Sequence, residues 1–120
     1  MKVLVVDDSK VMRSIVMRTL RQAGFACDSM EEADDGISAL KIIESSHPDV
    51  VLTDWNMPGM PGIDLLRAVR ARGDSTRFIF VTSEGTDEMR DLAFGAGANG
   101  FITKPFTPAT FQFALGELIR

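Results

Sequence analysis

Six residues with polar or charged side chains stand directly behind apolar runs in this 120-residue chain. Asp7 and Asp8 follow "KVLVV", Asp54 follows "VVLT", Thr82 and Ser83 follow "RFIFV", and Lys104 follows "GFIT". Together they are three carboxylates, two hydroxyls and one ammonium. Three carboxylates brought to one place repel one another, so they either share protons at raised pKa or hold a cation. With no histidine or cysteine in the set, the ligands are hard oxygens, and Mg²⁺ is the ion that fits them. An aspartate beside such an ion can also be a nucleophile, and its attack on phosphorus gives an acyl phosphate. The charge that develops on the phosphoryl oxygens then needs a metal, an ammonium and a hydroxyl aimed at it. Mg²⁺, Lys104 and Thr82 would provide those three. Each residue also has a plainer role. Asp7 and Asp8 suit a solvated turn or the N-terminus of a helix, Thr82 is a β-former closing its strand, and Lys104 could be a snorkelling surface lysine. The chemical reading rests on the whole set, since carboxylates and an ammonium recur at separate strand ends.

The elements that must position them follow from periodicity. "KVLVV" (2–6) is a continuous apolar run, the pattern of a strand buried on both faces. From Ser9 the period becomes helical, with Val11, Met12, Ile15, Val16, Leu20 and Ala23 on one side, Ser9 as cap and Gly24 as stop. A short strand is expected over 27–32. Asp35 opens a second helix with Ile37, Leu40 and Ile43 inward, ending before Pro48. The third strand is 49–53, and a helix after Gly62 carries Ile63, Leu66, Val69 and Arg70. Residues 77–81 form the fourth strand. Thr86 caps a helix with Met89, Leu92 and Ala93, closed by Gly95 and Gly97. The fifth strand is 100–103. Thr107 followed by Pro108 is a cap with proline in the first turn, and the last helix presents Phe111, Ala114, Leu115 and Leu118 up to the chain end. Five strands alternating with five helices predict an α/β fold, doubly wound as (βα)5 around a five-stranded parallel sheet. In open parallel sheets ligands bind beyond the carboxyl ends of the strands, which is where all six residues stand.

Composition excludes several function classes. Net charge is −4, which argues against a protein that binds nucleic acid by neutralising phosphates. No apolar run approaches eighteen residues, so no membrane span is expected, and "MKVLVV" runs straight into Asp7–Asp8, unlike a signal peptide. The lone cysteine, Cys27, cannot form an internal disulfide, is expected in a strand, and fits a reducing cytoplasm. His47, ahead of a proline, reads as a solvated loop residue.

The segments "VLVVDDS", "LTDWNMPGMPG", "FVTSE" and "GFITKPF" resemble the signature segments of response-regulator receiver domains, closest in pattern to the stand-alone chemotaxis type. The resemblance covers essentially all 120 residues and implies one receiver domain over 1–120 with no output domain. It implies the strand order 2-1-3-4-5, an order named for this fold type. It implies Asp54 as phosphoacceptor, charged from a phosphohistidine on a sensor histidine kinase. Asp8, Asp54 and the backbone carbonyl of Asn56 would hold Mg²⁺, with Asp7 orienting metal-bound water. Lys104 would pair with the phosphoryl group, Thr82 would turn toward it, and the Lys104–Pro105 bond would be cis. Trp55 and Met57 match the pattern beside the acceptor. Asn56 and Glu84 stand where side chains influence access of the hydrolytic water, implying a short-lived phosphoryl group.

Two departures matter. Phe101 stands where the chemotaxis prototype has tyrosine, so a ring flip coupled to Thr82 stays open while its hydroxyl-bonded version is excluded. Gly59 and Pro61 replace polar and acidic residues in the loop after Asp54, so partner contacts there are not carried over. The expected function is a cytoplasmic, monomeric switch rather than an enzyme. Phosphorylation would alter the surface of the fourth helix, fifth strand and fifth helix, where Phe101, Phe106 and Phe113 lie or are core. That surface would bind a downstream partner such as a motor switch or effector. The alternatives are a phosphorelay intermediate or a Mg²⁺-dependent phosphatase with an aspartyl nucleophile. The second is weakened by Asn56, which cannot protonate a leaving group, and by the lack of a cap domain.

Overall fold

The computed structural model describes residues 1–116. The strands are β1 (Lys2–Val6), β2 (Ser29–Ala33), β3 (Val50–Thr53), β4 (Arg77–Thr82) and β5 (Gly100–Thr103). The helices are α1 (Lys10–Gln22), α2 (Gly36–Ser46), α3 (Gly62–Ala71), α4 (Asp87–Gly95) and α5 (Pro108–Leu115). All strand pairs are parallel and the order is β2-β1-β3-β4-β5. The apolar runs form central strands because both of their faces are covered. Leu4, Val6, Val51, Phe78, Phe80 and Phe101 pack with Ala39, Ile43, Leu66 and Val69 of α2 and α3 and with Ala93 of α4. Val3, Val5, Val50, Leu52, Ile79 and Ile102 point the other way, onto Val16 and Leu20 of α1 and Phe111 and Leu115 of α5. Burying each valine, leucine, isoleucine or phenylalanine of these sets stabilises the fold by roughly 1.5–3 kcal/mol.

Four expected helix caps are in place. Ser9, Asp35, Thr86 and Thr107 each accept a hydrogen bond from the backbone N–H three residues on. Asp35's carboxyl is held below its usual range, chiefly by the Ser38 N–H. Gly24 ends α1 at a positive φ of 93°, a conformation that costs a side chain energy. The Lys104–Pro105 peptide is cis.

Several sequence expectations shift. β2 begins at Ser29, so Cys27 lies before it, half-buried, its thiol pushed up by burial and poorly suited to act as a nucleophile. Val11, Ile37 and Leu92, expected inward, are exposed. Each flanks the apolar stripe of its helix, and the sheet covers only the stripe's centre. Arg70, placed by spacing among inward residues, is an anchor rather than a core group. Its guanidinium donates to the carbonyls of Asp74, Thr76 and Gly97 and to Asn99 Oδ1, tying α3 to the β5 approach at the end of the sheet away from the acidic residues. His47 is exposed and ends α2 in the left-handed region, at φ 49°. Leu118, expected inward, lies outside the described residues.

Candidate functional site

The β1–β3 register places Val6 level with Thr53, so the next residues, Asp7 and Asp54, emerge side by side from adjacent central strands. Thr82 is level with Thr103 across β4–β5, and the Lys104 N–H donates to the Thr82 carbonyl at 2.8 Å. Residues 47 and 50 positions apart in sequence thus share one edge of the sheet.

Asp7, Asp8 and Asp54 each offer a carboxylate oxygen, and these oxygens lie within 4.8 Å of one another. The Lys104 ammonium sits 3.2 Å from Asp7 Oδ2 and 3.7 Å from Asp54 Oδ2. All three of those side chains are largely buried. Asp7 is the most committed, its Oδ1 accepting from the Ser9 N–H at 2.9 Å and its Oδ2 from Lys104. Asp54 Oδ1 accepts from the Trp55 N–H at 2.7 Å. Asp8 is exposed, and its carboxylate has no hydrogen bond or ion pair among the described residues. One ammonium against three carboxylates leaves excess negative charge. The donors are all hard oxygens, two of the carboxylates have open lone pairs, and the set fits a Mg²⁺ ion.

The loop after Asp54 is shaped by close packing. A side chain on Gly62 would collide with the Asp54 carbonyl oxygen and stand 2.8 Å from Phe80 Cε1, so α3 can begin directly against Asp54 only with glycine there. The Gly62 N–H donates to the Trp55 carbonyl at 2.8 Å and closes the loop. Asn56 is exposed, and its carbonyl accepts no hydrogen bond from a described residue. Met57 is buried, 3.7 Å from the Thr53 hydroxyl.

The other expected residues fall as follows. Thr82 is fully buried, and its hydroxyl accepts from the Glu84 N–H at 3.3 Å, within its own loop and not at Asp54. Ser83 and Glu84 are exposed. The Phe101 ring is inward, 6.2 Å from Phe80 and 6.4 Å from Trp55 between centroids, with the Arg90 guanidinium 5.3 Å above it. Of the other phenylalanines named above, Phe106 is half-buried against Phe111, while Phe113 is 93% exposed on α5. Arg13 was not singled out from the sequence, yet it donates to the Asp7 carbonyl at 2.6 Å. Nothing local to α1 signals this contact, because it depends on where α1 lies over the end of β1.

The response regulator receiver domain model matches residues 3–115. The chain belongs to the receiver domain family. This receiver domain is 45% identical to the chemotaxis protein CheY-3 of Vibrio cholerae serotype O1, across the whole chain and 92% of the relative. It is 49% identical to the chemotaxis protein CheY of Pseudomonas aeruginosa, across the whole chain and 97% of that relative. Among solved structures, the chemotaxis response regulator CheY4 of Vibrio cholerae superposes with a TM-score of 0.83 at 36% identity, covering 98% of this chain and 97% of that one. A receiver domain is a signalling switch, and the comparisons do not favour the phosphatase alternative.

Proposed function

We propose that this receiver domain works on its own in the cytoplasm as a phosphorylation switch in a chemotaxis or motility pathway. Its phosphodonor is the phosphohistidine of a sensor histidine kinase, and its product is a changed surface that binds a downstream protein. The observation that carries the reading is the Lys104 ammonium lying between Asp7 and Asp54, with Asp8 beside them and unpartnered among the described residues. The names of the relatives, matched over nearly their full lengths, support the chemotaxis assignment.

In the transfer, an Asp54 carboxylate oxygen attacks phosphorus. The new O–P bond forms as the N–P bond of the phosphoimidazole breaks, and that electron pair returns to the departing imidazole. Asp8, Asp54 and the Asn56 carbonyl would hold Mg²⁺, with Asp7 turned toward its water. When bound, the ion supplies positive charge to the phosphoryl oxygens. Lys104 exchanges its carboxylate partners for a phosphoryl oxygen. Thr82 gives up the Glu84 N–H and donates its hydroxyl to another phosphoryl oxygen, drawing the β4–α4 loop inward. The phosphoryl group adds about −1.5 to −2 charges and three strong acceptors, which is the differential contact that biases the switch. α4 is suited to respond, because Ala93 is its one fully buried residue. Leu92, Phe94 and Phe113 supply exposed apolar groups on α4 and α5 for a partner.

The test is incubation with acetyl phosphate or phosphoramidate and Mg²⁺. Intact mass should rise by one phosphoryl group, and Asp54→Asn should stay unlabelled. An unlabelled wild type, or steady turnover of varied phosphomonoesters, would overturn the reading.

A further inference from the structure

Asp8 differs from its two neighbours in what holds it. Asp7 is fixed by the Ser9 N–H and Lys104, and Asp54 by the Trp55 N–H and Lys104. The Asp8 carboxylate has no partner among the described residues, so only the backbone that carries it places it beside Asp54. The Asp7–Asp8 peptide is in turn held by one hydrogen bond among those residues, donated by Arg13 Nη1 to the Asp7 carbonyl at 2.6 Å. The Arg13 side chain is 13% exposed, and its Nε donates to Glu32 Oε1 on β2 at 2.9 Å. One planar guanidinium thus spans α1, the end of β1 and β2, a use of its fork that a lysine cannot copy.

We propose that Arg13 is a positioning residue for the acidic cluster: aimed by Glu32, it holds the Asp7–Asp8 peptide so that the Asp8 carboxylate faces Asp54, and so sets the affinity for a divalent cation. The inference rests on the reading of Asp7, Asp8 and Asp54 as a Mg²⁺ site. Two roles for Arg13 predict opposite signs. As a nearby positive charge, Arg13 would repel the ion, and its removal would tighten binding. As the holder of the peptide, its removal weakens binding. Losing an outer partner of a metal ligand typically costs roughly 10–100-fold in affinity, and about tenfold is expected here because the contact reaches Asp8 through the backbone.

The experiment titrates MgCl₂ into the full chain at constant ionic strength. Trp55 fluorescence is followed and calorimetry is run in parallel, for the wild type, Arg13→Gln, Arg13→Lys, Glu32→Gln and Lys10→Gln. Arg13→Gln should bind about tenfold more weakly. Arg13→Lys keeps the charge but not the fork, and should still be weakened several-fold. Lys10→Gln removes an exposed charge from the start of α1 and should leave binding unchanged or slightly tighter. The Arg13→Gln shift should persist at high salt, where a charge effect is screened. If Arg13→Gln fails to fold, Arg13→Lys carries the test: it keeps the charge, so weaker binding in that variant reports the lost contact, and the Glu32→Gln loss should persist at high salt. Wild-type affinity or tighter in the Arg13 variants overturns the inference and leaves the site reading intact. A wild type that does not bind Mg²⁺ by calorimetry overturns the site reading, and the inference with it.

Discussion

Replacing Lys104 with methionine removes the one ammonium in the acidic cluster while keeping most of the stem's volume. Its Nζ lies 3.2 Å from Asp7 Oδ2 and 3.7 Å from Asp54 Oδ2. At an effective dielectric of about 20 each contact represents roughly 4–5 kcal/mol of gross attraction. Desolvation of a side chain only 16% exposed offsets much of this. The net worth of a hydrogen bond to a charged group is about 1.5–3 kcal/mol. Carboxylate repulsion, no longer countered, adds to the loss. We expect Lys104→Met to lose about 2–3 kcal/mol in metal-free buffer, a fall in Tm of roughly 6–15 °C for a chain of this size. The assay is urea denaturation at pH 7 with EDTA, followed by far-ultraviolet circular dichroism. In an Asp7→Asn background the same substitution should cost less than half as much, because contacting groups are non-additive. Excess Mg²⁺ should then return more stability to Lys104→Met than it adds to the wild type. An equal loss in both backgrounds, or no loss at all, would mean that Lys104 is a solvated lysine and that the cluster is not coupled through it.

Two glycines predict opposite outcomes. Gly62→Ala forces a methyl against the Asp54 carbonyl and Phe80, and should cost about 1–3 kcal/mol while slowing acetyl phosphate labelling of Asp54. Gly95, at the end of α4, has open space and an ordinary φ, so Gly95→Ala should leave labelling unchanged and stabilise by up to about 1 kcal/mol. Urea midpoints and labelling time courses check both. Asp74 gives a pH dependence. Its carboxyl is held below the usual range, first by the Thr76 hydroxyl at 2.6 Å and then by the Thr76 N–H at 2.9 Å, against an opposing effect of burial. Because the folded value is depressed below the ordinary 3.8, the stabilisation is present above about pH 4 and is lost as pH falls through the folded value. Asp74→Asn should therefore lose less stability than the wild type between pH 5 and about pH 2. Parallel slopes over that range would refute it.

The layered architecture was legible because its signals are local. Runs such as "KVLVV" and "RFIFV" are apolar at every position, which only strands covered on both faces tolerate. Ser9, Asp35, Thr86 and Thr107 announced four helix starts through chemistry acting over three residues. Parallel strands then oblige the residues behind them to gather at one edge, so the candidate set at Asp7, Asp8, Asp54 and Lys104 is legible from the strand ends alone. The start of β2 is not legible in the chain because 27–32 is a mixed sequence, and pairing with β1 over Ser29–Ala33 decides it. Val11, Ile37 and Leu92 are exposed against the pattern because periodicity fixes a helix's apolar side but not how far the sheet covers it.

What the sequence by itself determined was which groups reach the edge: each follows its own strand, and that is a short-range property. Which of them touch was decided only by the tertiary structure. β1 pairs with β3 in a register that levels Val6 with Thr53, and β5 lies beyond β4. Lys104 therefore reaches back across the sheet edge to Asp7 as well as Asp54, while the Thr82 hydroxyl stays in its own loop. The contact of Arg13 with the Asp7 carbonyl and Glu32 belongs to the same class. It joins a helix, a strand end and an edge strand, and such a contact exists only after packing has fixed all three, so no local pattern in the chain can announce it.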